Sequence, residues 1–429
     1  MDPAVITLCV LAVAAFLFVT ELIPLAVTAM AACTALGILG VLPSKQVYAG
    51  LSNSTVVLFG GMFVIGAAMF KTGLAEAIGI AVVKKAGTNQ VPLMAAIMLV
   101  TIVLSSVSSN TGTVACLMPV IIGICQAAKI SPSKELMPLA IAANVGGTIT
   151  MIGTPPNVIV TGALTAAGLP TFGFFEFAYI GIPLSIIIVL YTLFIGRHFV
   201  PDKQAGAMDE EAVKAAAEEA GASGDGAPKS KTKMWISGII LLGVVACMAL
   251  GLKTLPLHTA AVTGAILCVV TGCLKEKEAY AGIDWVTIFL FAGMLSVATA
   301  MEKTGAGKLI ADTVVGSMGE HPNAVVLCAV LYLISNVLTQ FMSNTAAAAL
   351  LAPIGISIAQ SIGADPKPVL MAIGIAASMA FATPMATPPN TLVLGPGGFS
   401  FNDYAKVGVP MCLISLVASV IIIPIFWPF

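Results

Sequence analysis

The sequence contains one unit that is used twice. Five short motifs recur in the same order in both halves of the chain, and each lies 232 to 234 residues from its copy. The pairs are Pro24-Leu25 and Pro256-Leu257, Tyr48-Ala49-Gly50 and Tyr280-Ala281-Gly282, Lys71-Thr72-Gly73 and Lys303-Thr304-Gly305, Ser109-Asn110-Thr111 and Ser343-Asn344-Thr345, and Thr154-Pro155-Pro156-Asn157 and Thr387-Pro388-Pro389-Asn390. Because such a repeat marks one structural unit, we expect two halves of the same fold, 1–200 and 234–429, joined by a polar linker at 201–233.

The composition indicates that this fold lies in a lipid bilayer. Of the 429 residues, 59% are hydrophobic and only 9% are charged, whereas a soluble domain contains about 25% charged residues. The net charge of −1 argues against nucleic acid as a partner. The sequence therefore predicts an all-helical, multi-pass membrane protein in contact with lipid.

Each half is predicted to cross the membrane five times, because a crossing helix needs about 20 apolar residues. The crossings are placed at 4–20, 23–42, 55–70, 136–168 and 178–200, and again at 234–252, 256–274, 285–301, 368–394 and 407–427. Residues 74–86 are predicted to form an interfacial helix. The apolar stretches around the Ser-Asn-Thr triplets, 92–107 with 113–128 and 324–341 with 346–362, are predicted to be re-entrant hairpins. Two full crossings in place of each hairpin would leave the topology unchanged.

An odd number of crossings turns the second half upside down relative to the first. If both termini lie outside, most Lys and Arg residues and the linker lie in the cytoplasm, in agreement with the positive-inside rule. The expected location is a cell membrane, taken as the bacterial inner membrane, with both termini outside.

The polar groups in the middle of the apolar segments are neutral. By the predicted spans, carboxylates such as Glu21, Asp284 and Glu302 fall near segment ends, and no Lys or Arg lies in mid-crossing. The two prolines of each Thr-Pro-Pro-Asn motif interrupt a helix and leave backbone groups unpaired, which lipid cannot satisfy. Hydroxyl and carbonyl oxygens at such a break can bind Na⁺, and N–H groups at a helix start can bind an anion. Paired broken helices in inverted halves indicate the binding site of a transporter.

The repetition of these motifs is what favours a functional interpretation. A single Ser-Asn-Thr triplet is typical of a helix N-cap, and a single Pro-Pro-Asn is typical of a surface turn. Here both motifs occur twice in one order, 45 and 44 residues apart.

These motifs also carry a resemblance to a known family. The two Ser-Asn-Thr triplets, each followed by Thr-Pro-Pro-Asn, resemble the signature of the divalent anion/sodium symporter family over nearly the whole chain. The resemblance implies a sodium-coupled transporter, not an enzyme, that carries C4-dicarboxylates, citrate or sulfate as a homodimer by an elevator-type mechanism. It implies a scaffold at 1–88 and 234–318 and a moving transport domain at 91–200 and 321–429. Family members commonly have an additional first helix, whereas this sequence begins in the repeat, so the dimer scaffold is expected to differ in detail.

The resemblance further implies two sodium sites and one substrate site. The first sodium would be bound by Ser105, Ser109, Asn110 and Gly153, and the second by Thr339, Asn344 and the backbone carbonyls of Met342 and Ala386. Substrate carboxylates would contact Asn110, Thr111, Asn344 and Thr345, in a cavity lined by Thr154, Pro155, Thr387 and Pro388. Because Ala347 stands where the first half has Thr113, the two cation sites are not expected to be equal.

Other functions stay open at this point. Within carriers they are a dicarboxylate or other anion exchanger, a sulfate or citrate transporter of the same architecture, and a proton-driven carrier. In other classes they are an anion channel and a membrane-embedded enzyme or receptor. A channel should carry charged rings or a repeated carbonyl filter, and an enzyme should carry clusters of His, Asp or Glu.

Overall fold

The computed structural model describes residues 2–87, 89–203, 230–251, 254–317 and 323–429, and all regular secondary structure in these ranges is helical. Most of the predicted linker, residues 204–229, lies outside the described residues. The all-helical prediction is confirmed.

The described part of each half contains ten helices in the same order, so that a helix of the second half has the number of its counterpart plus ten. The first half contains α1 (Pro3–Thr20), α2 (Leu25–Ile38), α3 (Ser44–Val47), α4 (Ser54–Lys71), α5 (Leu74–Ala86), α6 (Gln90–Ser105), α7 (Asn110–Ala128), α8 (Ser133–Gly146), α9 (Pro155–Ala166) and α10 (Ala178–Phe199). The second half contains α11 (Lys231–Leu250), α12 (Leu257–Val270), α13 (Glu276–Ala281), α14 (Trp285–Thr304), α15 (Ala306–Ser317), α16 (Ala324–Thr339), α17 (Asn344–Ser361), α18 (Pro366–Ser378), α19 (Pro388–Leu394) and α20 (Phe401–Phe426).

Seven helices in the described ranges are long and apolar enough to cross a membrane, namely α1, α4, α7, α10, α11, α14 and α20. The predicted crossings at 23–42 and 256–274 are too long, since α2 and α12 have 14 residues each. Both helices end two residues before a glycine with positive φ, Gly40 and Gly272, a conformation that terminates a helix.

In the interior, helices of one half pack against helices of the other half, and the same contact occurs twice. Helix α4 crosses α12 where a Cβ atom added to Gly61 would lie 2.8 Å from the backbone of Ala261. Helix α14 crosses α2 where a Cβ atom added to Gly293 would lie 2.7 Å from the backbone of Ala29. These are the same contact with the halves exchanged, because each residue lies 232 positions from its counterpart. Glycine at each crossing lets the backbones approach closely, as is common between membrane helices.

The predicted hairpins are pairs of helices whose tips end at the breaks. Helix α6 has 16 residues and is thus about 24 Å long. It packs along α8, and its last residue, Ser105, donates a hydrogen bond to the carbonyl of Ala143 in the last turn of α8. Helices α16 and α18 repeat this arrangement through Thr339 and Ala377. Each tip therefore lies at the midpoint of a broken helix.

Two ion pairs join the halves at opposite ends of this group of helices. Lys203 Nζ lies 3.0 Å from Asp403 Oδ2 in the first turn of α20, and Lys203 N donates to Ser133 Oγ over 3.0 Å. Residues 201–203, predicted as the start of the linker, therefore pack against α8 and α20. At the other end Lys367 Nζ lies 2.6 Å from Glu176 Oε1.

Candidate functional site

The first Ser-Asn-Thr triplet forms the start of a helix at a hairpin tip. Ser109 is the N-cap of α7, and its Oγ accepts a hydrogen bond from Gly112 N over 3.3 Å. Thr113 Oγ1 donates to the carbonyl of Ser109 over 2.9 Å, a contact that Ala347 cannot make in the second half. The chain therefore turns directly into a helix whose first residues are Asn110 and Thr111.

Four polar groups converge at this tip. One end of the Asn110 amide lies 3.2 Å from the carbonyl oxygen of Ala143, 3.0 Å from that of Gly153 and 2.5 Å from Ser105 Oγ. An amide nitrogen at that end closes the cluster with hydrogen bonds. An amide oxygen there places four oxygens around one point, of which only the Ser105 hydroxyl can donate, an arrangement that suits a cation. The two carbonyls can only accept, so the neighbours favour the amide nitrogen at this end.

A glycine gives this cluster its space. A Cβ atom added to Gly147 would lie 2.8 Å from Asn110 Oδ1 and 2.9 Å from the carbonyl oxygen of Gly153. A side chain at position 147 would therefore enter the space between Asn110 and the break. Ala380 is the equivalent residue in the second half, so the two clusters differ in shape as well as at Thr113.

The second tip repeats the first with matched atoms. Thr339 Oγ1 donates to the carbonyl of Ala377 over 2.7 Å and lies 2.5 Å from Asn344 Oδ1. Thr339, Asn344 and Ala377 each lie 234 positions after Ser105, Asn110 and Ala143. Both tips therefore place a hydroxyl, an amide and a carbonyl of a broken helix in contact.

The asparagine of each Thr-Pro-Pro-Asn motif holds the unwound segment before it. Asn157 Nδ2 donates to the carbonyl of Thr150 over 2.8 Å, and Asn390 Nδ2 donates to the carbonyls of Ala380 and Thr383 over 2.9 Å each. These bonds satisfy carbonyls that the broken helix leaves unpaired, as burial requires. The sequence analysis assigned no role to these two residues, although their presence in both copies of the motif was a signal.

The two breaks are also joined to each other. Asn144 Nδ2 donates to Thr387 Oγ1 and to Asn390 Oδ1, each over 3.1 Å. In the reverse direction Ser378 Oγ lies 3.4 Å from Thr154 Oγ1. Thr154 and Thr387 are buried and lie in this contact between the halves.

The other predicted site residues lie nearby but are less closely tied to the clusters. Thr345 is 8% exposed and Thr111 is half-buried, both in the first turn of a hairpin helix. Pro155 is half-buried and Pro388 is exposed, each at the first position of α9 or α19. The described contacts join Thr339, Asn344 and Ala377, whereas Met342 and Ala386 are buried without a described contact to Asn344.

Six residues at the tips and breaks could not be identified from the motifs as part of the site. They are Ala143, Ala377, Gly147, Asn144, Asn157 and Asn390.

One buried carboxylate lies at the start of the first broken helix, outside the bounds predicted for that segment. The segment was predicted to begin at 136, but α8 begins at Ser133 and thus contains Glu135, which is fully buried. The reason is that Pro132 is the N-cap of the helix, four residues before position 136, where the hydropathy pattern places the first apolar run.

Two described cavities flank the broken helix α9, both apart from the Ser-Asn-Thr triplets. The larger, of about 420 Å³, is lined by residues of α9, α14, α15 and α17, including Glu302, Lys308 and Asp312. The smaller, of about 300 Å³, lies between the start of α4, the start of α12 and residues Thr161 and Thr165 of α9.

Comparisons with known proteins agree with this architecture. The family model described as citrate transporter matches residues 15–368 and 341–428. An uncharacterized transporter of Haemophilus influenzae is 30% identical over 98% of this chain and 91% of its own length. The sodium-dependent dicarboxylate transporter SdcS of Staphylococcus saprophyticus is 25% identical over 98% of this chain and 86% of its own length.

A solved structure shares the fold. The YdaH transporter of Alcanivorax borkumensis superimposes with a TM-score of 0.66 at 15% identity, over 99% of this chain and 98% of that one. The chain is thus a multi-pass membrane transporter that belongs to the citrate transporter family, in agreement with the resemblance to the divalent anion/sodium symporters.

Proposed function

We propose that this protein is a sodium-coupled secondary active transporter of divalent anions, with C4-dicarboxylates as its substrates. Support for sodium and dicarboxylates comes from the relative SdcS, whose name describes a sodium-dependent dicarboxylate transporter. Support from the fold comes from the two equivalent tip clusters.

The pair of tip clusters is the observation that carries the proposal. At each tip a hydroxyl, Ser105 or Thr339, lies 2.5 Å from the side-chain amide of an asparagine and donates a hydrogen bond to a carbonyl of a broken helix. Hydroxyl, amide and carbonyl oxygens are hard neutral ligands that suit a small cation such as Na⁺. In this proposal one Na⁺ binds at each tip, and the amide of Asn110 or Asn344 turns its oxygen towards it.

The anion binds between the two tips. When the oxygens of Asn110 and Asn344 face sodium, their NH₂ groups and the hydroxyls of Thr111 and Thr345 are donors for substrate carboxylates. Helices α7 and α17 begin at these residues, and helix N-termini favour negative charge. Two sodium ions and two helix starts thus offset the charge of a dianion without an arginine.

The contacts between the two predicted domains suggest how the site moves. The scaffold helices α4 and α14 pack on α9, and α14 and α15 pack on α17. Both α9 and α17 run from the centre towards the predicted outer face, whereas the scaffold helix α5 packs on α6 and α7 at the predicted inner face. We propose that an elevator-type shift of 91–200 with 321–429 along these contacts moves the site between the cytoplasm and the outside. In this proposal both termini lie outside a bacterial inner membrane, and two copies of the chain form a homodimer.

Citrate is a second candidate substrate, favoured by the family model that matches the chain. Uptake of labelled succinate, malate, citrate and sulfate into proteoliposomes, each with a sodium or a choline gradient, tests both candidates. Sodium-driven succinate uptake that rises sigmoidally with sodium supports the proposal, since at least two ions bind. Equal uptake in choline would favour an exchanger, and citrate uptake alone would replace the substrate.

A further inference from the structure

Glu135 is a buried acid that the proposed transport cycle does not use. Its side chain is fully buried in the first turn of α8, and neither Oε1 nor Oε2 has a hydrogen-bond partner. Burying an unpaired carboxylate costs several kcal/mol, and ionisable groups inside membrane segments are generally functional. This residue therefore requires an explanation other than helix capping.

Helix capping is excluded by the residue that starts the helix. An acid at the third helical position normally accepts a hydrogen bond from the backbone N–H of the N-cap. Asp403 does so in α20, where Ser400 N donates to its Oδ2 over 2.8 Å. Glu135 occupies the same position in α8, but its N-cap is Pro132, which has no N–H group.

The cations near the start of α8 are engaged elsewhere. Lys134 Nζ donates to the carbonyls of Val200 and Arg197, over 2.5 and 3.3 Å. Lys203 Nζ pairs with Asp403. Neither lysine pairs with the carboxyl of Glu135, whose oxygens have no hydrogen-bond partner.

The remaining neighbours of α8 add little polarity. The thiol of Cys125 on α7 lies close enough to interact electrostatically with Glu135. Helices α6 and α19, which also pack on α8, contain no titratable side chain. The other titratable groups on the packed segments are Tyr179, Tyr191, Arg197 and His198 of α10, Cys116 of α7, Lys129 after α7, and Asp202, which accepts from Ser131.

We propose that Glu135 is a proton-binding site, which holds a proton in this conformation and exchanges it with the aqueous phase on the side where α8 begins. Protonation adds one H⁺ from water to the carboxylate and removes the charge that burial disfavours. The site exists in one half only, because the equivalent residue in the second half, 234 positions later, is Val369. Proton exchange is therefore restricted to one end of the fold, the predicted cytoplasmic end.

The consequence for transport rests on the proposed function. Loss of the proton places a charge in a buried site and so disfavours the packing of α8 on α6, α7, α10 and α19, which all belong to the proposed moving domain. Raising the pH on the cytoplasmic side should therefore loosen this domain and slow the cycle. Beyond the midpoint of one controlling group, the rate should change by up to about tenfold per pH unit.

Infrared spectroscopy of the purified protein tests proton binding without any transport. The carbonyl stretch of a protonated carboxylic acid should be present at neutral pH in the wild type and in Glu21→Gln, an exposed control. It should be lost in Glu135→Gln, which keeps the size of the side chain without a titratable group. An unchanged band in Glu135→Gln overturns the proposal.

Stability and uptake supply two further readouts. Glu135→Leu should raise the melting temperature, most strongly at alkaline pH, because an apolar side chain replaces an unpaired acid. A lower melting temperature at every pH would mean that Glu135 has a partner, and would contradict proton binding.

Uptake by Glu135→Gln should lose the alkaline decline that the wild type and Glu21→Gln show. If no variant or wild type transports but the infrared band behaves as expected, the transport function fails and the proton site stands.

Discussion

Asn144 and Asn390, one from each half of the chain, are joined by a 3.1 Å hydrogen bond from Nδ2 of the first to Oδ1 of the second. Asn390 also holds its own break through two bonds to Ala380 and Thr383. The side chain of Asn390 thus connects the first broken helix to the second.

Replacing Asn390 by alanine should abolish transport and destabilise the protein. The change leaves two buried carbonyls without this donor, at a cost of about 1–3 kcal/mol for each, and removes one of the two hydrogen bonds that Asn144 Nδ2 donates. Melting temperature in detergent and substrate uptake measure the two effects. Asn402→Ala, at an exposed position of α20, should leave both unchanged. A stable and active Asn390→Ala protein would exclude this residue from supporting the breaks.

The hydroxyls of Ser105 and Thr339 should be interchangeable between the halves. Ser105→Ala and Thr339→Val remove one proposed sodium ligand each and should raise the sodium concentration for half-maximal uptake about tenfold or more, which corresponds to about 1.4 kcal/mol. Ser105→Thr and Thr339→Ser place the residue type of the other half at each tip and should retain uptake. Sodium activation curves at fixed succinate measure all four variants. If the alanine and valine variants keep the wild-type sodium dependence, these hydroxyls do not bind the ion.

Gly147→Ala should close the first cluster while leaving the fold intact. The added Cβ would lie 2.8 Å from Asn110 Oδ1, so the amide must move from its position at the tip. We expect sodium-dependent uptake to be lost and the melting temperature to fall somewhat, because the added Cβ would also lie 2.9 Å from the backbone carbonyl oxygen of Gly153. Gly123→Ala is a matched control, because a Cβ there would meet nothing within 4 Å. Normal uptake by Gly147→Ala would mean that the cluster does not need this space.

The Glu176–Lys367 pair should make stability depend on acid pH. Burial alone would raise the pKa of Glu176, but hydrogen bonds from Lys367 and Trp427 outweigh it and hold the pKa below its usual 4.5. An acid with a lowered pKa stabilises the fold at pH values above 4.5, and this contribution is lost as the pH falls through the folded pKa. Glu176→Gln should lower the melting temperature at neutral pH, by the equivalent of about 1–3 kcal/mol.

The difference between wild type and Glu176→Gln should then shrink as the pH falls below 4.5. Glu21→Gln, which changes an exposed acid, should follow the wild-type curve. A difference that stays constant with pH would show that the charge of Glu176 contributes nothing to stability.

The order of elements could be predicted from the sequence because the repeat supplies every helix twice. The helices predicted for the hairpins, for the broken segments and for residues 74–86 all lie within a few residues of their predicted positions, while α7 of the first predicted hairpin is long enough to cross a membrane. The ends of α2 and α12 were misplaced because apolar residues continue past the glycines that stop these helices. The start of α8 was placed three residues too late, at 136, because Ser133 begins this helix within polar sequence.

The composition of the site was harder to predict than its location. The motifs identified Asn110 and Asn344, since these residues stand at the tips in both copies. The carbonyls of Ala143 and Ala377 could not be found from residue types, because any residue offers a carbonyl and only the packing of α6 on α8 selects these two. Likewise, the bond from Asn144 to Asn390 joins residues 246 positions apart, and no local pattern reports it.

The most direct test of the account is sodium-driven succinate uptake by wild type, Asn110→Ala and Asn344→Ala in proteoliposomes. Each asparagine is proposed to face sodium with its oxygen and substrate with its NH₂ group, so either change should abolish uptake while the purified protein keeps its melting temperature. Wild type should accumulate succinate with a sodium gradient and not with a choline gradient. Equal wild-type uptake in sodium and choline, or undiminished uptake by either variant, would contradict a sodium-coupled site at the two tips.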